Sequence, residues 1–406
     1  MNLLFADAVL DQTVADLEAR GHVCAVEPSL TTDDVAGRIP GFDVLVVRST
    51  KVDASVFDTA DRLALVIRAG AGTNTIDTDA AAARGVLVAN VPGRNAAAVA
   101  ELTLGLILAI DRRIADNVVD LRDGRWNKSR YGKANGLLGS TLGILGMGSI
   151  GLGVAERAAA FGIDVQCLSR PGRSAATRAR LEELGVTTCD SVDDLVSSSD
   201  IVTLHLPSNE DTRHLVDAEF LRQMKPGAIL VNTARGDLVD ETALLDALDQ
   251  GELRVGLDVF ADEPGSGSAE WSSKVAQHPN VVATHHIGAS TAQAQRAIAA
   301  GVVEIVDAFA AGEARNCVNL APRGLGSATL TIRHLDRVGV LARVLELISA
   351  ARLNVEHMQN RVFRGGEAAV AVIDVAGRVP GGLLDDISGL PEVLGASQAT
   401  LDGEAT

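Results

Sequence analysis

Residues 141–162 read TLGILGMGSIGLGVAERAAAFG, and this run restricts the fold more than any other stretch of the chain. Residues 141–145 form a short apolar segment suited to a buried parallel strand. It opens directly into Gly146-Met147-Gly148-Ser149-Ile150-Gly151, a G-x-G-x-x-G. Beyond Gly151 the Ala-rich text is helical, and Gly162 stands where a left-handed helix stop belongs. Strand, glycine turn and helix in that order make an anion cradle. Gly146 permits the tight turn, Gly148 lets the backbone approach a pyrophosphate, and Gly151 lets helix and strand pack closely. The N–H groups at the helix start, around Ser149 and Ile150, then face the phosphates. The expected occupant is a dinucleotide.

The chain has room for two or three domains, with 406 residues of which 47% are hydrophobic. A net charge of −17 with no Lys/Arg-rich block argues against a nucleic-acid partner. Cys24, Cys167, Cys189 and Cys317 show no C-x-x-C spacing, so neither a metal site nor a disulfide framework is expected, and the compartment that fits is the reducing cytoplasm. Asp7 and Asp11 fall where an export signal needs a basic leader. The long apolar run 102–110 is too short to span a bilayer and is bounded by Glu101 and Asp111, which predicts a buried helix and no membrane association.

Residues 2–98 alternate short apolar strands with helical patterns, the signature of a parallel α/β sheet, but carry no second G-x-G-x-x-G. This half is expected to be a partner domain. Two of its strand ends could hold an acidic substrate: Arg48-Ser49-Thr50-Lys51-Val52, and Arg68-Ala69-Gly70-Ala71-Gly72 followed by 90–95. A long helical segment, about 96–123, then crosses into the nucleotide half. The second strand after the glycine turn ends at Ser169-Arg170, with Arg173 close by. A dinucleotide site selective for NAD normally offers an acid there to the ribose hydroxyls, whereas a hydroxyl and guanidiniums suit a 2′-phosphate. The cofactor expected is therefore NADP, or NAD and NADP both.

Further strands end at Leu206-Pro207, at Thr233-Ala234-Arg235, at Asp258 to Glu263, and at His285-His286. Three successive strands thus bring Arg235, Glu263 and His286 to the sheet edge that faces the cofactor. Oxidation of a 2-hydroxy acid needs a base for the hydroxyl proton, a hydride acceptor, and a cation that holds the carboxylate. Histidine supplies the base, an adjacent carboxylate orients it, and arginine supplies the planar cation. The hydride chemistry belongs to the nicotinamide.

With RSTKV at 48–52, RAGAGTNTID at 68–77, ILGMGSIG at 144–151, NTARGDLVDE at 232–241, GLDVFADEP at 256–264 and HIGAST at 286–291, the chain resembles the D-2-hydroxyacid dehydrogenase family over nearly all of 1–402. Within that family it is most similar to members acting on phosphoglycerate. The resemblance implies an α/β fold in three parts. These are a discontinuous flavodoxin-like substrate domain (1–98 and 287–320), a doubly wound Rossmann domain (99–286), and a C-terminal α+β ACT domain (326–402). It puts the family's catalytic residues on Arg235, Glu263 and His286. His285 stands where proline is usual, and the HIGAST run fixes the register on His286. Gly70, Ala71 and Asn95 would hold the substrate carboxylate, Arg48 and Lys51 its phosphate, with Arg130 and Lys133 as weaker candidates. Asp258 would contact the nicotinamide amide. Hinges on either side of the Rossmann domain would close the cleft on substrate.

After residue 324 the text restarts in βαββαβ order, with His334 to Leu341 between the first strand and helix. This resembles an ACT domain, a module that binds amino acids through that loop, so His334, Asp336 and Gly339 become effector candidates, the effector often being L-serine. Val338 and Asp336 replace a frequent proline and asparagine. The resemblance as a whole implies a cytoplasmic homo-oligomer, dimer or tetramer. It would oxidise 3-phospho-D-glycerate to 3-phosphooxypyruvate at the head of serine synthesis. The alternatives are an NADPH-dependent glyoxylate or hydroxypyruvate reductase and, in another class, a nicotinamide-sensing corepressor.

Overall fold

The structure is a computed structural model describing residues 1–251, 253–264, 268–321 and 326–400. It divides into two compact units, Met1–Asn319 and Leu320–Thr406. The end of the 326–402 span, residues 401 and 402, lies outside the described residues.

The first unit contains two parallel sheets. Strands β1 (Asn2–Phe5), β2 (Val23–Val26), β3 (Val44–Val47), β4 (Leu65–Arg68) and β5 (Leu87–Asn90) make the first, in the order β2-β1-β3-β4-β5. β3 reads Val-Leu-Val-Val and is buried at every position, as a strand covered on both faces requires. One face packs on Val35, Ile39, Val56 and Phe57. The other packs on Leu17 and on a helix contributed from far down the chain, Ala292–Ala310, through Val302, Ile305 and Val306.

The second sheet has seven strands: β6 (Thr141–Leu145), β7 (Asp164–Leu168), β8 (Thr187–Cys189), β9 (Ile201–Leu204), β10 (Ile229–Asn232), β11 (Arg254–Leu257) and β12 (Val281–Ala283). Their order, β12-β11-β10-β9-β6-β7-β8, is the doubly wound arrangement, and its direction reverses on either side of β6. The helix expected over 96–123 is two helices, Ala96–Asp111 and Ile114–Arg122. Arg113 adopts φ 49° between them, which no continuous α-helix tolerates. The apolar run 102–110 lies in the first of these helices, which buries Leu104, Leu106, Ile107 and Ile110. No helix among the described residues is long and apolar enough to cross a membrane.

In the second unit, β13 (Ala328–Leu335), β14 (Asn354–Val362), β15 (Ala368–Ala376) and β16 (Val393–Thr400) form an antiparallel sheet in the order β14-β15-β13-β16. Helices Val340–Ala350 and Leu383–Ser388 bury Val344, Ile348, Leu383 and Ile387 against Leu330, Ile332, Ala371 and Ile373. β13 runs two residues further than the sequence suggests. His334 is therefore a buried strand residue, not a loop residue, while Asp336 and Gly339 lie in the exposed loop beyond it.

Candidate active site

The glycine turn sits at the carboxyl end of β6, beside the point where the sheet changes direction. Gly146 has φ 104°, and a Cβ there would fall 2.3 Å from the His205 carbonyl oxygen, so the turn after β6 rests directly on the end of β9. A Cβ on Gly151 would fall 2.0 Å from Gly146 O, which is the close strand–helix packing that position needs. Gly148 faces open space within 4 Å and caps the helix Ser149–Ala160. These residues leave backbone N–H groups accessible to a dinucleotide pyrophosphate. Leu206 and Pro207 follow β9, while Thr233 and Ala234 follow β10. Thr233 is buried, its hydroxyl 3.0 Å from that of Thr103, and the Ala234 amide donates to Asn232 Oδ1. At the end of β7, Arg173 donates to the Leu168 carbonyl at 2.6 Å and is folded back on its own strand. Ser169 and Arg170 are both exposed.

Arg235, Glu263 and His286 follow the adjacent strands β10, β11 and β12. His286 Nδ1 lies 2.6 Å from Glu263 Oε2, and Glu263 Oε1 accepts from the Phe260 amide at 2.8 Å. Burial works to raise the Glu263 carboxyl. Hydrogen bonds from His286 and the Phe260 amide, with the charges of His286 and Arg235, outweigh it and hold the group below the usual carboxylate range. His286 itself has φ 50°, a left-handed conformation unusual for a side-chain-bearing residue. Asp258 enforces it. Its carboxylate accepts from Thr284 Oγ1 (2.7 Å) and from the amides of Ile287 and Gly288 (2.8 Å each), and its carbonyl accepts from the His286 amide. Asp258 is almost fully buried and serves as the scaffold of the histidine turn.

The opposite wall comes from the first sheet. Gly72 packs against the Arg235 guanidinium, so the nucleotide-domain arginine reaches the loop after β4. In that loop Gly70 has φ 151° and Ala71 O accepts from Asn90 Nδ2, while Asn95, after β5, has its Oδ1 buried with no hydrogen-bond partner among the described residues. The loop after β3 is different from a bare anion nest. The amides of Arg48, Ser49 and Thr50 all donate to the Asp7 carboxylate, at 2.6, 3.1 and 3.1 Å. The side chains of Arg48 and the exposed Lys51, not these amides, are the groups there that could meet an anion.

Arg68, read in the sequence only as the start of a loop that could hold an acidic substrate, lies closer to the site than that reading gave it. Its guanidinium folds over Gly70, where a Cβ would fall 1.6 Å from Nη1, and its Nε is buried without a hydrogen-bond partner. Desolvation, with the charges of Arg235 and Arg48, pushes its pKa down to about 10, Asp7 acting in the opposite direction. The available signal was a charged residue ending an otherwise apolar strand, Leu-Val-Ile-Arg. Arg130 and Lys133 are not part of this cluster. Arg130 pairs with Asp120, and Arg130 and Lys133 line a cavity of about 270 Å³ with Arg254 and Pro279, at the amino-terminal edge of β11 and β12. That edge is opposite to the one carrying His286.

In the first unit, two parallel α/β sheets set a dinucleotide-type glycine turn beside an arginine, a carboxylate and an imidazole. The pattern described as D-isomer specific 2-hydroxyacid dehydrogenase, NAD binding domain, matches residues 104–288. A hydroxypyruvate reductase from Thermotoga maritima is 43% identical over 277 residues, which are 68% of this chain and 87% of that protein. A D-3-phosphoglycerate dehydrogenase from Methanocaldococcus jannaschii is 38% identical over 323 residues, 79% of this chain and 60% of that protein. The crystal structure of a D-lactate dehydrogenase from Aquifex aeolicus, complexed with NAD and lactic acid, superposes with a TM-score of 0.68 at 27% identity, covering 79% of this chain and all of that one. The chain belongs to the D-isomer specific 2-hydroxyacid dehydrogenase family. It spans about 60% of the length of the phosphoglycerate dehydrogenases it matches.

Proposed function

We propose that the chain oxidises 3-phospho-D-glycerate to 3-phosphooxypyruvate, the reaction that opens L-serine synthesis. The observation that carries this reading is the convergence of Arg48, Arg68 and Arg235 on one wall, where the buried Arg68 Nε has no protein partner. Arg48, Arg68 and Arg235 are each only partly exposed, and although Asp7 offsets some of their charge, the positive charge that remains favours an anionic substrate. A substrate with a carboxylate at one end and a phosphate at the other suits that charge. Arg235 with the backbone of Gly70 and Ala71 and the Asn95 side chain takes the carboxylate. Arg48, Arg68 and Lys51 take the phosphate.

His286 Nε2 accepts the proton of the 2-hydroxyl, while Glu263 holds Nδ1 and offsets the positive charge that the ring acquires. Arg235 fixes the carboxylate and polarises the adjacent carbon–oxygen bond. A bound nicotinamide would supply the hydride acceptor for the C2 hydrogen. Gly146, Gly148, Ser149, Ile150 and Gly151 would hold its pyrophosphate, and Leu206, Pro207, Thr233 and Ala234 would flank it. The exposed Ser169 and Arg170 would receive a ribose 2′-phosphate, which supports use of NADP alongside NAD. In the C-terminal unit, the βαββαβ order supports an ACT-type amino-acid sensor, with Asp336 and Gly339 in the loop that would meet L-serine. His334 has its Nδ1 2.8 Å from Leu335 O and its Nε2 3.2 Å from Asn360 Oδ1, so it would shape that loop from beneath.

A second reading, a glyoxylate or hydroxypyruvate reductase working with NADPH, draws on Ser169-Arg170 and on the Thermotoga relative. Initial rates with 3-phosphoglycerate, glyoxylate and hydroxypyruvate, each with both cofactors, test the two readings. A preference for 3-phosphoglycerate over unphosphorylated D-glycerate is expected. Equal kcat/KM for the two would overturn the phosphate assignment.

A further inference from the structure

The turn that carries Glu263 is short and would be free to open were it not tethered from outside. Among the described residues three neighbours hold it. Gly236, the residue after Arg235, lies so close that a Cβ there would fall 2.0 Å from the Phe260 carbonyl carbon. The Ala261 amide donates to Glu241 Oε1 at 2.8 Å. Trp271 then closes the far side twice over: its indole N–H donates to the Asp262 carbonyl at 2.9 Å, and its ring meets Phe260 edge-on, centroids 4.8 Å apart at 62°. Phe260 is buried, whereas Trp271 is partly exposed, so the indole forms the outer cover of the turn.

We infer that Trp271 is a positioning residue for the Glu263–His286 pair, acting through the turn Phe260–Asp262 and touching neither substrate nor cofactor. The chain of contacts is continuous. Trp271 fixes Phe260 and Asp262 on either side of Ala261, the Phe260 amide holds Glu263 Oε1, and Glu263 Oε2 holds His286 Nδ1. Loss of the indole bond frees the Asp262 carbonyl to turn toward water. It thereby loosens the amide that sets the carboxylate's second oxygen. A carboxylate deprived of that donor keeps its burial cost but not its compensation, so it becomes harder to ionise. Among the described residues each Glu263 oxygen has one partner, the Phe260 amide of this turn for Oε1 and His286 Nδ1 for Oε2, so a shift of the turn is felt directly at the pair.

The inference rests on the catalytic reading of Glu263 and His286, and its test separates the two. In the whole protein, Trp271→Phe keeps the ring contact and removes the N–H, while Trp271→Ala removes both. Two measurements are made on wild type and each variant after thermal melting has shown them folded. The first is the low-field proton resonance of the His286–Glu263 hydrogen bond, assigned by its loss in His286→Asn, which needs no turnover. The second is the pH profile of kcat/KM. The resonance is expected to weaken or exchange faster in Trp271→Phe and to vanish in Trp271→Ala. The acidic limb, set by the His286 imidazolium that Glu263 stabilises, should move downward in the same order, with kcat/KM at neutral pH falling about threefold and about tenfold. A resonance and an acidic limb unchanged in both variants would overturn the inference. Absence of dehydrogenase turnover in wild type, with the resonance still responding to Trp271, would instead count against the proposed function.

Discussion

Arg235 rests its guanidinium against the bare α-carbon of Gly72, where a Cβ would lie 2.1 Å from Nη2. This contact joins the two sheets of the first unit at the place where a substrate carboxylate would sit. It also explains why a glycine with ordinary backbone angles occupies position 72: the requirement is space.

Gly72→Ala therefore displaces Arg235 while leaving the backbone unstrained. Misplacing a positioning cation by an ångström can cost about 100-fold in rate. The expected outcome is a fall of about 10- to 100-fold in kcat/KM with a melting temperature within a degree or two of wild type, read from steady-state kinetics and calorimetry. A variant with wild-type kinetics would show that the contact is dispensable.

Arg68 is predicted to trade stability for binding. Its guanidinium is largely buried beside two other arginines, and desolvation is the main reason its pKa lies near 10. Because that pKa is depressed, the folded protein bears the cost of the charge throughout the neutral range and sheds it only as pH rises past about 10. Arg68→Met removes the charge and keeps the stem's volume. We expect unfolding at pH 7 to become harder by about 1–3 kcal/mol. At the same time KM for 3-phosphoglycerate should rise at least tenfold, with little change for unphosphorylated D-glycerate. Destabilisation, or equal effects on both substrates, would contradict the assignment.

Glu263 supplies a pH-dependent part of stability whose sign follows from its direction of shift. Its folded pKa is below the unfolded value of about 4.3, so the contribution is present in full above that value and disappears as pH falls through the folded pKa. The difference in unfolding free energy between wild type and Glu263→Gln should be flat above about pH 5.5 and shrink in more acidic solution. Turnover by Glu263→Gln should drop about 10- to 100-fold, and by His286→Ala about 100- to 10,000-fold.

Much of this arrangement was legible in the residues because each part satisfied a local rule. The glycine turn after β6 obeys period, turn chemistry and helix capping together, and helices Glu241–Asp249 and Ala292–Ala310 follow from their apolar spacing. Other parts depend on neighbours distant in sequence. Asp7 stands 41 residues from the Arg48 amide it caps, and nothing within its own segment marks it as the filler of that loop. Arg68 looks like an ordinary strand end until Gly70 and Arg235 are seen beside it. The break at Arg113 was hidden because helical text continues on both sides of it. His334 was placed in a loop because the strand's alternation fades at its polar end, while cross-strand pairing with Ala369 carries β13 onward.

The cofactor preference can be decided at one position. Arg173 is bound to the Leu168 carbonyl, which leaves Arg170 as the exposed cation next to Ser169 at the end of β7. A serine there can donate to a 2′-phosphate, and Arg170 can pair with it in a charge-assisted hydrogen bond. Ser169→Asp reverses the chemistry, because a carboxylate repels the phosphate and accepts from a free ribose diol. We expect this variant to lose at least tenfold in kcat/KM with NADP while holding or gaining with NAD. Arg170→Ala should lose with NADP alone. Fluorescence titration of NADH and NADPH into wild type and both variants would measure the binding part separately from turnover. Losses of equal size with both cofactors would mean that the end of β7 shapes the adenosine pocket without reading the 2′ position.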